Sequence, residues 1–195
     1  KERIKKMGEN EKFIFNVGCP RIDLVKDEIE KNDSYEVLRT LFKDFKFVGD
    51  EIKIQDKFLL VSQHPVTTEF GTNREHINQT LKALNELKMP TILLWPNSDA
   101  DGDAISKAIR TFREKNRPEW LVVFKNLPVK TYIHLMNTTA CLIGNSSSGI
   151  REGTFIGTPV VNIGTRQHSR MKGLNCIDVD NKVSEIKSAI EYQIK

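Results

Sequence analysis

The chain holds little cysteine. Cys19, Cys141 and Cys176 stand far apart, with no pair at metal-ligand spacing, so neither a disulfide scaffold nor a zinc finger is expected. The three read as buried thiols of a reducing cytosol. The fingerprints G-x-G-x-x-G and G-x-x-x-x-G-K-[ST] are both missing, which removes the signal for a dinucleotide site or an ATP-hydrolysing P-loop. No apolar run reaches membrane length and no signal peptide is recognisable, so no membrane partner is expected. No His/Asp/Glu cluster has metal spacing. Asp99, Asp101 and Asp103 alternate, but a calcium loop needs glycine at its sixth position and a distant glutamate, and neither falls in register. Thirty basic residues against 26 acidic ones leave a net charge of +4. No lysine/arginine block is interleaved with aromatics, so nucleic acid is not an expected partner either.

What is present is an alternation of short apolar runs and amphipathic stretches. Strands are expected at 13–17, 58–61, 91–95, 120–124, 140–143, 158–162 and 176–179. Helices are expected from Pro20, which suits a first helical turn, and at 34–41, 73–88, 100–115, 129–137 and 183–194. Residues 43–57 are mixed and charged and read as turn. Strands alternating with helices predict an α/β fold, a Rossmann-like parallel sheet flanked by helices with right-handed crossovers. The length of 195 residues suits one sizeable domain. Residues 1–12 are charged and read as a linker or the end of a missing N-terminal domain, with the domain proper at 13–195.

In such folds ligands sit outside the carboxyl ends of the strands. The residues there are Gln63-His64, Asn97-Ser98-Asp99, Asn126-Leu127, Asn145 to Gly149, and Gly164-Thr165-Arg166-Gln167. The central stretch is Ile143-Gly144-Asn145-Ser146-Ser147-Ser148-Gly149-Ile150-Arg151-Glu152, a strand followed by a small-residue turn that opens a helix. Unpaired N–H groups and serine hydroxyls at a helix start make a phosphate cradle. The plainer reading is helix capping. Three consecutive serines exceed one cap, and the capping box is absent because Gly149 follows Ser146 by three.

Two readings stand for each of three further residues. Glu152, four positions after Ser148, either accepts a pair of hydroxyls, as from a ribose, or complements the helix dipole. Arg166 offers bidentate phosphate recognition or a surface ion pair. His64 donates to a phosphate or titrates near neutral pH, or it is structural. His76, His134 and His168 have no partners in sequence and carry no assigned role.

These motifs resemble a known family. His64-Pro65-Val66-Thr67-Thr68, Pro96-Asn97-Ser98-Asp99-Ala100, Gly144 to Glu152 and Gly157 to Gln167 look like the hydrolysing UDP-N-acetylglucosamine 2-epimerases. Val17 to Asp23 resembles the segment that opens their second domain. The likeness is strongest to the bacterial enzymes that begin sialic acid synthesis and to the epimerase half of the animal bifunctional enzyme. It implies the C-terminal half of a glycosyltransferase-B-like two-domain enzyme. It also implies a cytoplasmic homo-oligomer when full length, with a UDP-sugar partner and no cofactor. By matching position, His64, Asn97, Leu127, Ser146, Ser147, Glu152 and Arg166 correspond to UDP-contacting residues, and Ser148 and Gly149 belong to the same turn. Glu152 would hold the ribose. Ser146 and Ser147 would hold the diphosphate with Arg166 beside it, and Leu127 would meet the uracil through its backbone. His64 would sit nearest the reacting end, as the catalytic candidate. The implied reaction releases UDP from UDP-N-acetylglucosamine through a glycal, then adds water to give N-acetylmannosamine. Its acid/base carboxylates would come largely from the N-terminal domain, so this chain alone is expected to bind UDP weakly and turn nothing over. A diacetamido sugar leading to legionaminic acid, a glycosyltransferase, and a non-catalytic sugar-nucleotide module remain as alternatives.

Overall fold

The computed structural model describes residues 1–195. Seven strands form one sheet: β1 (Phe47–Val48), β2 (Leu59–Ser62), β3 (Thr91–Leu94), β4 (Leu121–Phe124), β5 (Cys141–Gly144), β6 (Val160–Ile163) and β7 (Cys176–Val179). The helices are α1 (Glu2–Lys6), α2 (Pro20–Lys31), α3 (Ser34–Leu38), α4 (Leu41–Asp44), α5 (Asn73–Leu87), α6 (Gly102–Asn116), α7 (Val129–Thr138), α8 (Ser147–Ile150), α9 (Glu152–Ile156) and α10 (Val183–Gln193). No helix is long and apolar enough to cross a membrane.

The inner strands β2 to β6 read as nearly continuous apolar runs because both faces of the sheet are covered there. Side chains alternate between faces at a period of two. Leu59 and Val61 join Leu93, Val123, Ile143 and Val161 against Ile77, Leu81 and Ile105 of α5 and α6 and Ile186 of α10. Phe58 and Leu60 point the other way, with Ile92, Val122, Leu142 and Val160, onto α2, α3, α4 and α7. Full burial of one such side chain is worth about 1.5–3 kcal/mol, so this double-sided core holds the sheet.

On the second face a polar cluster ties three helices together. Asn137 Nδ2 donates to Ser34 Oγ (2.9 Å), which lies 2.8 Å from His134 Nδ1. His134 Nε2 is 3.3 Å from Glu28 Oε1, and Lys130 Nζ is 2.9 Å from Glu28 Oε2. The Lys130 contact is the main reason the Glu28 carboxyl is held below its usual range. His134, fully buried, is therefore the hub of a helix staple.

The strand order is β1-β4-β3-β2-β5-β6-β7, parallel throughout except for β1 against β4. From β2 the chain winds outward through β3 and β4, then returns by α7 to β5 and winds the opposite way. The strands therefore diverge between β2 and β5, where a doubly wound sheet opens its ligand crevice. Gly144 sits at that point with φ +131, and a Cβ there would lie 2.3 Å from Ser62 O. Only glycine permits this approach.

Four expectations need correction. Residues 13–17 form no strand: Glu11–Phe13 is a single 3-10 turn, and Phe13, Phe15 and Val17 are 75–77% exposed. The segment has strand composition, but a strand needs a neighbour for its ladder, and these residues place none beside it. Conversely, the stretch read as turn holds β1, whose two residues are too few to show a period. The helix expected over 34–41 is two, α3 and α4, separated at Arg39–Thr40. Of the three thiols only Cys141 is fully buried, its pKa pushed up to about 12 by desolvation; Cys19 and Cys176 are half-buried.

Candidate functional site

A cleft of about 340 Å³ opens at the carboxyl ends of β2 to β5. Its walls bring together His64, Asn97, Leu127, Ser146, Ser147, Ser148 and Glu152, which are seven of the nine residues singled out from the sequence.

Ser146 is the N-cap of α8, in extended conformation (φ −70, ψ 138), and its Oγ accepts from Ser148 N–H at 3.4 Å. The N–H groups of Ser146 and Ser147 make no hydrogen bond within the chain. The helix after them is one turn long. It stops at Arg151 (φ −111, ψ −78), and α9 restarts at Glu152. This departs from the single helix expected. One turn has too few aligned peptides for a strong dipole, so any anion held there would rest on the free N–H groups and hydroxyls.

Gly149 lies behind the wall rather than on it. Its N–H is taken by Ser146 O (3.3 Å), and a Cβ would meet Val160 and Leu142 at 3.0–3.3 Å. Its smallness seats α8 against β5 and β6.

Glu152 is 5% exposed and faces the cleft. Its Oε1 is 3.3 Å from Arg21 Nε and 3.6 Å from Arg151 Nη2. Its Oε2 is buried with no hydrogen-bond partner. An unpaired buried carboxylate oxygen is costly, and a ligand hydroxyl would relieve it.

His64 follows β2. Asn97 N–H donates to His64 Nδ1 (3.2 Å), so the ring proton sits on Nε2, 3.2 Å from Ser62 Oγ. Burial first and the Arg166 charge second lower its pKa to about 4, against a smaller opposing effect of Asp99. The ring is thus neutral at pH 7. Arg166 stands at the rim, outside the lining residues. Its guanidinium makes only long contacts, 3.5 Å each, to Asp99 Oδ2 and Asn145 O.

Sequence reasoning named Asn145 as part of a loop but gave it no role. Its side chain bonds both backbone groups of His64, accepting from N–H (2.7 Å) and donating to C=O (2.8 Å). Gln167 Nε2 donates to Asn145 O (2.7 Å) and closes the loops after β2, β5 and β6 onto one another. Ser62, Tyr132 and Arg21, also on the cleft walls, were missed. Nothing in their local sequence distinguishes them.

Comparison with known proteins identifies the family. A family model described as UDP-N-acetylglucosamine 2-epimerase matches residues 1–195. A Campylobacter jejuni GDP/UDP-N,N'-diacetylbacillosamine 2-epimerase (hydrolyzing) is 31% identical over 98% of this chain and 47% of its own length. A Legionella pneumophila UDP-N,N'-diacetylbacillosamine 2-epimerase (hydrolyzing) is 31% identical over 92% of this chain and 44% of its own length. A Neisseria meningitidis UDP-N-acetylglucosamine 2-epimerase is 26% identical over 97% of this chain and 46% of its own length. The chain thus spans about half the length of the curated relatives it matches. Among solved structures, the N. meningitidis UDP-GlcNAc 2-epimerase bound to UDP-GlcNAc has a TM-score of 0.72 at 12% identity, covering 99% of this chain and 52% of that one. The Methanocaldococcus jannaschii UDP-GlcNAc 2-epimerase has a TM-score of 0.70 at 16% identity, covering 100% of this chain and 52% of that one. These likenesses show the fold, which matches about half of each of those solved chains. The chain belongs to the UDP-N-acetylglucosamine 2-epimerase family, as its C-terminal domain.

Proposed function

We propose that this domain holds the nucleoside diphosphate of a UDP-sugar whose 2-epimerisation is completed by hydrolysis. The observation that carries the reading is the lone Glu152 Oε2, buried in the same cleft as two serines with unused N–H groups. The donors suit a diphosphate and the acceptor suits ribose hydroxyls. In the proposed reaction the C1–O bond to UDP breaks and the C2 proton leaves. Water then adds to the resulting glycal, giving N-acetylmannosamine and UDP, as at the start of sialic acid synthesis in a cytoplasmic homo-oligomer. Ser146, Ser147 and Arg166 would stabilise the departing diphosphate. Asn97 and the Leu127 backbone would flank the nucleoside, Ser148 would buttress Ser146, and Gly149 would support the turn from behind. His64 would act near the reacting carbon. It must gain a proton to serve as an acid, and a diphosphate that neutralises Arg166 would favour that gain.

The two relatives at 31% identity are both named for N,N'-diacetylbacillosamine, against 26% for the UDP-N-acetylglucosamine enzyme. That favours a second reading of the sugar, a diacetamido substrate leading toward legionaminic acid. One of those names also admits GDP. Calorimetry with UDP and with GDP tests the domain. Weak binding of UDP without turnover is expected, and the absence of heat from either nucleotide at millimolar concentration overturns the reading. NMR identification of the products from both sugars, using the full-length enzyme, decides the substrate.

A further inference from the structure

A short chain of hydroxyls runs through the cleft wall behind the serine turn. Tyr132, projecting from α7, places its phenol oxygen 2.7 Å from Ser148 Oγ. Ser148 Oγ in turn lies 2.8 Å from Ser146 Oγ. Ser148 also sends its backbone N–H to the same Ser146 Oγ at 3.4 Å. On the same cleft wall Ser62 Oγ is 3.2 Å from His64 Nε2.

The direction of this chain follows from where each hydrogen can go. A backbone N–H can only donate. Asn97 N–H therefore makes His64 Nδ1 an acceptor and leaves the proton on Nε2, where it points at Ser62 Oγ. Ser62 Oγ therefore accepts, and the order of the other hydroxyls is set by Tyr132, whose one hydrogen-bond partner is Ser148 Oγ. Desolvation raises the phenol pKa, so Tyr132 keeps its proton, and its partner for donation is Ser148 Oγ. Ser148, having accepted, donates to Ser146 Oγ. Ser146 Oγ thus receives two hydrogens, from the Ser148 hydroxyl and from the Ser148 amide. Its own O–H is the one left over, at the cleft surface beside two N–H groups without partners.

We propose that Tyr132 is a positioning residue that sets the polarity of the serine turn, so that Ser146 presents a donor to the cleft and the turn selects a fully ionised, acceptor-only group such as a diphosphate. The inference rests on the nucleotide-binding reading above and adds the residue that orients its hydroxyls. Without the phenol, Ser148 is free to turn around, Ser146 can rotate its hydrogen inward, and the turn loses its bias toward anions.

Tyr132→Phe keeps the ring in place and removes only the hydroxyl. NMR-observed titrations with UDP and with uridine separate positioning from general damage. The expected result is UDP binding weakened about three- to tenfold, the worth of one ordinary hydrogen bond, with uridine binding unchanged. Ser148→Ala cuts the same chain at its next link. It should show a similar loss, and the double variant should lose no more than the weaker single variant. Equal UDP affinity in wild type and Tyr132→Phe overturns the inference while leaving the nucleotide reading intact. Equal losses for UDP and uridine overturn it as well. A wild-type protein that binds no UDP removes both readings together.

Discussion

The amide of Asn145 pairs with both backbone groups of His64, across 81 residues of sequence, as if it were one more rung of the sheet. Beyond Gly144 the strands β2 and β5 part, and the backbone N–H and C=O of His64 would otherwise face a gap. Asn145 fills both at once, and it is 2% exposed while doing so. Asn145→Ala should leave both groups unpaired and cost about 2–4 kcal/mol of stability. Chemical denaturation measures the cost directly. UDP affinity should fall with it, because the same side chain places His64.

Glu152 gives a sharper functional test. Glu152→Gln preserves the shape and removes the charge from the unpaired oxygen. UDP affinity should fall about tenfold or more, as for a lost hydrogen bond to a charged group, whereas inorganic pyrophosphate should bind as before. Equal losses for the two ligands in calorimetry would contradict the ribose role.

The buried ring of His64 makes the fold sensitive to acid. Its pKa is about 4 in the folded chain against 6.5 for the free side chain. Between those values the unfolded chain binds a proton that the folded one refuses, so stability rises with pH across the window. The contribution is complete above about pH 6.5 and is lost as pH falls toward 4, on the order of 3 kcal/mol in all. Urea denaturation at pH 7 and pH 4.5 should show the loss, and His64→Gln should flatten it. In NMR titrations UDP should move the His64 midpoint upward, since a diphosphate opposes the Arg166 charge.

His134 separates stability from binding. Removing it by His134→Ala leaves Ser34 and Glu28 without their shared partner and opens a void between α2, α3 and α7. A loss of about 3 kcal/mol is expected. UDP affinity should stay within about twofold of wild type at a temperature where both remain folded.

Much of the architecture could be read from the chain. Six strands matched their apolar runs, five of them, β2 to β6, because they are covered on both faces and leave little that is polar to confuse the pattern. The serine turn and Glu152 were legible for a different reason: small hydroxyl residues and a carboxylate after an apolar strand are chemistry in themselves. What escaped were relations between distant residues. His134 carries no local sign of Glu28, which is 106 residues away, and Asn145 none of His64. Tyr132 looked like one more apolar residue of α7. Phe13 to Val17 misled because an apolar run records what a segment is suited to pair with, not whether a partner stands beside it.

The interruption at Arg151 has its own consequence. With α8 and α9 as separate turns, the proposed grip on phosphate and the proposed catch for sugar hydroxyls are two modules joined by a single swivel. Adding one residue at the swivel, between Arg151 and Glu152, would displace the carboxylate from its place in the cleft and leave the serines untouched. Such a protein would still hold inorganic pyrophosphate but would no longer tell a nucleotide from a bare anion. Anion capture and nucleoside discrimination are therefore separable by one insertion.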